Sequence, residues 1–300
     1  MVVLMGESYA SFLDRKSQAA LFYGFEPVWM PDFLFDFQKH LVEWSILKGR
    51  SAIFADCGLG KTPMQLVWAE NVVRKTNKPV LILTPLGVSQ QTIREGEKFG
   101  IELKRSREGK IESKIVVTNY ERLHYFDNNK FAGVVCDESS AIKAFDGKRR
   151  KEVTRFLSKV KYRLLCTATP SPNDFIELGT ASEALGELTQ SEMLTTFFRS
   201  SDNMRHSLFK EGDFWNRAKW FFRAHAETPF WRWVCSWARA LQKPEDMGFD
   251  GSAFILPPLN VKQHVVDKEM IFPGELFPRV AMTLKEQRAP QEGRSSLLQW

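Results

Sequence analysis

Between about residues 36 and 186 the chain alternates short apolar runs with longer amphipathic stretches. The runs are SAIFA (51–55), PVLILT (79–84), KIVVT (114–118), GVVCDE (133–138) and YRLLCTAT (162–169). Each is apolar throughout its centre rather than at every second position. That pattern predicts strands covered on both faces, since a half-exposed strand would alternate with polar residues. Between the runs, 63–75, 89–99 and 148–159 read as helices. Strand, helix, strand in that order predicts right-handed crossovers and a mostly parallel sheet, an α/β fold. Past Gly186 the texture changes. Five of the nine tryptophans fall between Trp215 and Trp237, mixed with arginine and phenylalanine, and no strand pattern is visible there. Helical spacing puts Trp233 and Trp237 on one face. Leu256-Pro257-Pro258 closes this stretch, and NVKQHVV (260–266) reads as one further strand.

Composition narrows the class without choosing a function. With 300 residues, 43% hydrophobic and 26% charged, the chain is globular and has room for two ordinary domains or one with a large insertion. The net charge of +6 is compatible with a polyanionic partner but not diagnostic of one. Cys57, Cys136, Cys166 and Cys235 lie far apart with no C-x-x-C pair. Reduced thiols in a cytoplasmic protein are therefore expected, rather than a zinc site or a disulfide framework. Cys57, Cys136 and Cys166 are expected to pack as small apolar side chains. The N-terminus has no basic lead and too short an apolar run for a signal peptide. No stretch approaches the roughly 18 apolar residues of a membrane span, so no membrane association is expected.

Chemistry first becomes specific at Ala55-Asp56-Cys57-Gly58-Leu59-Gly60-Lys61-Thr62, which follows an apolar run and opens a helical one. That is the setting of a phosphate-binding loop. Glycines let such a loop turn its N–H groups inward on phosphate oxygens at a positive helix N-terminus. Lys61 would neutralise the β- and γ-phosphates of ATP, and Thr62 would place its hydroxyl on magnesium. About 75 residues on, Asp137 and Glu138 end another apolar run. In parallel α/β sheets, ligands bind outside the carboxyl ends of the strands. Asp137 is thus the candidate second magnesium residue, and Glu138 the candidate base that orients and deprotonates the attacking water.

The remaining motifs resemble those of Swi/Snf-like superfamily II ATPases, of the compact sort met in bacteriophages and prophages. Ala55 in place of the usual glycine is common in that superfamily. Thr167-Ala168-Thr169-Pro170-Ser171-Pro172-Asn173, with Glu177 downstream, is similar to the family's T-G-T-P motif with its following Asn. Asp137-Glu138-Ser139-Ser140-Ala141-Ile142-Lys143 resembles D-E-x-H-x-x-K, with Ser140 where the family has His. In relatives that His links the nucleotide site to the third motif. Thr167, Thr169 and Ser140 are accordingly the expected coupling residues, with Ser140 the one departure. Phe37-Gln38 resembles the segment whose Gln reads the adenine edge; alternatively Gln38 is simply exposed on its helix. Leu83-Thr84-Pro85 and Val117-Thr118-Asn119-Tyr120 resemble the motifs that contact the nucleic-acid backbone. The bland alternatives are that Thr84 ends a strand and that Thr118 and Asn119 cap the following helix.

The resemblance covers roughly residues 33–185 and implies a RecA-like lobe that binds ATP and magnesium and is driven along DNA, most naturally the double-stranded form. It divides the chain into an N-terminal extension (1–32), the ATP-binding lobe (33–186), a helical Trp- and Arg-rich insertion (187–256) and a linker (257–300). In relatives a second RecA-like lobe follows such a linker and carries an arginine finger. Here about 45 residues remain after Leu256, too few for that lobe, and a separate chain is its expected source. Within the insertion, Arg217 and its aromatic neighbours are candidates for gripping DNA, but a core formed by the tryptophans themselves is favoured. Three alternatives stay open: a nucleotide- and DNA-binding fragment with little turnover alone, a restriction-system motor subunit, and, less well matched, a DEAD-box RNA helicase. A phage-encoded protein of this kind would work in the host-cell cytoplasm.

Overall fold

A computed structural model describes residues 22–144, 147–200 and 220–255 of the chain. Trp215, Arg217, residues 1–21 and the stretch 256–300, with the strand expected at 260–266, lie outside the described residues.

The first helix among the described residues, α1 (Asp36–Lys48), leads through Gly49 into β1 (Arg50–Ala55), and the phosphate-loop sequence then opens α2 (Lys61–Thr76). Next come β2 (Val80–Thr84), α3 (Ser89–Lys98), a two-residue β3 (Lys104–Arg105), β4 (Ile115–Asn119) and β5 (Gly133–Cys136). Helices α4 (Ala141–Ala144) and α5 (Gly147–Ser158) precede β6 (Tyr162–Cys166). These strands form one sheet in the order β3-β4-β2-β5-β6-β1, and every pairing is parallel. Register is set by partners such as Ile53 with Cys166, Val135 with Leu164 and Leu83 with Cys136. The sheet is RecA-like, with helices on both faces.

Side-chain alternation explains why the runs are apolar throughout. In β1, Ala52 and Phe54 enter one core and Ile53 and Ala55 the other. In β2, Leu81 and Leu83 divide from Val80 and Ile82 in the same way. One core is roofed by α1 and α2, where Trp68 is fully buried. The segment entering α1 is pinned to α2 by Asn71, whose side-chain oxygen accepts from the N–H groups of Val28 and Trp29 at 2.9 and 3.0 Å.

The other core holds the Trp-rich stretch. Helices α6 (Leu178–Leu185) and α7 (Gln190–Phe197) are followed by β7 (Phe198–Ser200), which pairs antiparallel with β8 (Trp220–Phe222). Helix α8 (Glu227–Trp237) then buries Phe230, Trp233, Val234 and Trp237. Trp233 and Trp237 do share a face, with ring centroids 5.5 Å apart, and Trp237 meets Phe54 of β1 edge-on at 6.1 Å. These tryptophans therefore belong to the core of the sheet itself rather than to a separate one. Their helix also returns the chain to the sheet: β9 (Ala238–Leu241) pairs parallel with β1 and makes it seven-stranded. No strand pattern betrays this element, because Ala-Arg-Ala-Leu is short and follows the helix without a breaker. Among the described residues no helix is long and apolar enough to cross a membrane.

Candidate active site

The loop between β1 and α2 has the backbone of an anion cradle. Gly58 and Gly60 take φ of +84° and +72°, the left-handed region that glycine enters without strain. Space around Gly58 is open, whereas a Cβ on Gly60 would collide with the side-chain amide of Gln38. Helix α2 starts at Gly60 with no side-chain cap, so the first N–H groups of its N-terminus are left for an anion. Lys61 Nζ lies over the loop, donating to the carbonyls of Ala55 (3.0 Å) and Asp56 (3.1 Å). Thr62 stands half-buried in the first helical turn. Leu59 is buried and fixes the loop from beneath, while Cys57 is exposed on it. The expectation that Cys57 packs as a small apolar residue is thus corrected, since its place on the glycine-rich loop leaves it exposed. Cys136 and Cys166 are buried on β5 and β6, and burial pushes both thiols up, Cys136 to about 12.

Gln38 is tied to this loop. Its Nε2 donates to Leu59 O at 2.9 Å and its Oε1 accepts from Phe35 N–H at 3.0 Å. It is 3% exposed, so the reading of an exposed helix residue does not describe it.

Across the sheet, Asp137 and Glu138 follow the last residue of β5. Asp137 is 6% exposed, and its Oδ1 accepts from Gln65 Nε2 at 2.7 Å. Burial raises its pKa; the Gln65 hydrogen bond acts against that, Glu138 adds to it, and the Lys61 ammonium opposes it. Tyr120 O–H holds the Asp137 carbonyl at 2.7 Å. Gln65 belongs to none of the sequence motifs. The available signal is its spacing: four residues past Lys61 on a helix, it shares that residue's face. Glu138 sits at φ +48°, a conformation rare for a residue with a side chain, and such positions cluster at functional sites. Its Oε2 accepts from Thr167 Oγ1 at 3.1 Å, and the same Thr167 oxygen accepts from Thr169 N–H at 3.1 Å. The contact between the acidic motif and the third motif thus runs through Glu138 and Thr167. Ser140 is half-buried beside it. Downstream, Asn173 Nδ2 donates to Glu177 Oε1 at 2.9 Å.

The residues matched to backbone-contact motifs have a different environment from the one expected. Thr84, Thr118 and Asn119 are 0%, 0% and 1% exposed. Thr84 Oγ1 is 2.8 Å from Ser89 Oγ, and Asn119 Nδ2 donates to Ser89 Oγ (2.8 Å) and Pro85 O (3.3 Å). The side chains of Thr84 and Asn119 therefore clamp the loops after β2 and β4 instead of facing solvent, that of Thr118 is simply buried, and Asn119 makes no side-chain cap on the following 3-10 turn. Pro85 is half-buried at the start of the loop after β2, and Leu86 is exposed beyond it.

No protein-family model matches the sequence, and no curated protein matches it significantly. Solved structures do match. The chain is similar to the Sulfolobus solfataricus SWI2/SNF2 ATPase core in complex with dsDNA, with a TM-score of 0.55 and 20% identity over 73% of this chain and 46% of that one. Looser likenesses are to the UvsW helicase from bacteriophage T4 (TM-score 0.41, 15% identity, 61% of this chain and 66% of that one) and to the Pyrococcus furiosus Hef helicase domain (0.43, 18%, 52% and 37%). The chain thus spans about 46% of the length of the SWI2/SNF2 chain. The fold is α/β and RecA-like.

Proposed function

We propose that this chain is the ATP-binding lobe of an ATP-dependent DNA helicase or translocase. The observation that carries the reading is one juxtaposition: a glycine-shaped, uncapped phosphate loop with Lys61 stands near Asp137, and the adjoining Glu138 is bonded to the third motif.

In this reading the loop N–H groups and Lys61 bind the β- and γ-phosphates of ATP, and Gln38, which braces the loop, reads the base. The Thr62 hydroxyl and the Asp137 carboxylate are hard oxygen donors of the kind magnesium takes, one or two alongside water and substrate phosphates. Bound magnesium supplies charge neutralisation on the β- and γ-oxygens. Glu138 accepts a proton from the water that attacks the γ-phosphorus, and ADP leaves with the bridging oxygen. Because Thr167 holds Glu138, a shift of the third motif alters the base; that is the proposed coupling of DNA contact to hydrolysis, with Thr169 and Ser140 alongside. DNA contact through the loops after β2 and β4 would use backbone groups and Pro85, given how deeply Thr84, Thr118 and Asn119 are buried. Arg217 remains a candidate contact from the Trp-rich stretch.

An arginine from a facing lobe is worth about 10³–10⁵ in rate in phosphoryl transfer. Turnover by the ATP-binding lobe without such an arginine is therefore slow, and completion by a second RecA-like lobe, in this or a separate chain, raises it. The test is steady-state ATP turnover with and without duplex DNA, for wild type and Glu138→Gln, alone and with a relative's second lobe added. Turnover that Glu138→Gln leaves intact would remove the catalytic assignment. Robust turnover by the chain alone would remove the need for the second lobe.

A further inference from the structure

We propose a second anion site on this chain: the groove at the β3 edge of the sheet binds the phosphodiester backbone of a nucleic-acid strand. The inference rests on the nucleic-acid reading above and gives it a place and a set of donors.

The groove holds about 250 Å³ and is lined by Lys104, Arg105, Arg107 and Lys110 against the carboxylates of Glu108 and Glu112. One carboxylate, Glu108, is already paired with Lys110 at 3.6 Å. What remains is net positive. Pockets for drug-sized ligands run to roughly 300–1,000 Å³, so this one suits a phosphate and its sugar rather than a whole nucleotide.

Two polar atoms here are buried without a hydrogen-bond partner: Arg105 Nε and Ser106 Oγ. Buried polar atoms are nearly always paired in folded proteins, and exceptions call for an explanation such as a ligand. Ser106 lines the groove, and its N–H continues the β3–β4 ladder by donating to Val117 O at 2.9 Å. Guanidinium and hydroxyl donors together are the usual partners of phosphate oxygens.

The cradle is preformed and correctly placed. Arg122 Nη1 donates to Arg107 O at 3.1 Å. Gly109, at φ +77°, lets the turn lie against the carbonyl of Tyr125, where any Cβ would collide. Arg105 Nη2 reaches Asn119 Oδ1 at 3.4 Å, joining the groove to the clamp on the loops after β2 and β4. A strand crossing those loops therefore meets the groove next. Tyr125 is exposed beside the turn, with His124 at 4.1 Å, and offers a ring to a neighbouring base.

The test is fluorescence anisotropy of a labelled duplex with the full chain, between about 50 and 200 mM salt, where counterion release dominates. Lys104 and Arg107 are exposed, so Lys104→Gln/Arg107→Gln leaves the fold intact, which the unfolding midpoint checks. Each lost phosphate contact lowers the slope of log K against log salt by about 0.9, so the double variant should be shallower by about 2. Binding should weaken alike on unrelated sequences, Arg107→Lys should keep the wild-type slope, and nucleotide affinity should not move. An unchanged slope in the double variant, with wild type still binding DNA, overturns the groove alone. No DNA binding by wild type at low salt overturns both the groove and the DNA part of the proposed function. Inorganic phosphate or polyglutamate that displaces DNA from wild type at matched ionic strength would make the groove a general anion site and overturn the phosphodiester assignment.

Discussion

Replacing Gln65 by leucine should weaken magnesium-dependent nucleotide binding about 10- to 100-fold while leaving the fold nearly as stable as before. Two opposed terms set this outcome. The 2.7 Å bond from Gln65 Nε2 orients a carboxylate that is only 6% exposed, and a hydrogen bond to a charged group is worth about 1.5–3 kcal/mol. Its loss leaves Asp137 buried, free to turn, and with less to offset the cost of its charge. Against this, Gln65 Oε1 is buried without a partner, and removing such an atom recovers about 1–3 kcal/mol. Leucine fills nearly the same volume, so no cavity opens. The global terms thus offset to within about 1 kcal/mol, while the local effect on Asp137 remains. The assay is titration of a fluorescent ATP analogue at several magnesium concentrations, with urea unfolding alongside. An unchanged magnesium dependence would refute the reasoning, as would an equal loss in magnesium-free buffer, which would mean Gln65 does not act through Asp137.

Lys61→Ala should remove most ATP binding, measured by the same titration, and equal affinity in wild type and variant would end the phosphate-loop assignment. Thr167→Val deletes the bond to Glu138, and should leave nucleotide affinity alone while abolishing the DNA-stimulated part of turnover; stimulation that survives would rule out coupling through this contact. Trp237→Ala should cost about 3–5 kcal/mol in chemical unfolding, as expected for a fully buried Trp set against Phe54 and Trp233. Trp231→Ala, at a side chain 36% exposed, should cost much less. If instead Trp237→Ala weakened DNA binding without loss of stability, the tryptophans would be a stacking surface rather than a core.

The central strands were legible because each is covered on both faces, and five apolar runs became β1, β2, β4, β5 and β6. The helix starts and the strand ends carrying Lys61 and Asp137 were legible for the same reason: a glycine-rich or acidic break in an apolar run marks where a strand stops. What stayed hidden depends on contacts distant in sequence. Strand β9 is held by its ladder with β1 and by Trp237 beneath, neither of which leaves a periodic signal in four residues. Gln65 looks like any polar residue on a helix until β5 brings Asp137 to it across 72 positions. Thr84 and Asn119 do lie at strand ends, but motif matching says nothing about which way a side chain turns, and Ser89 turns both inward.

The place of β9 bears on how the lobe is made. Strand β1, which delivers the chain to the phosphate loop, has β6 on one side and β9 on the other. Until residue 241 has left the ribosome, one flank of β1 is an unsatisfied ladder of N–H and C=O groups beside an apolar face. Such an edge is a template for pairing with another chain. A fragment cut at 186, where the texture of the sequence changes, would keep Gln38, the phosphate loop, Asp137, Glu138 and Thr167 and yet expose that edge permanently. It should aggregate or swap strands, whereas a fragment ending after 255 should remain monodisperse.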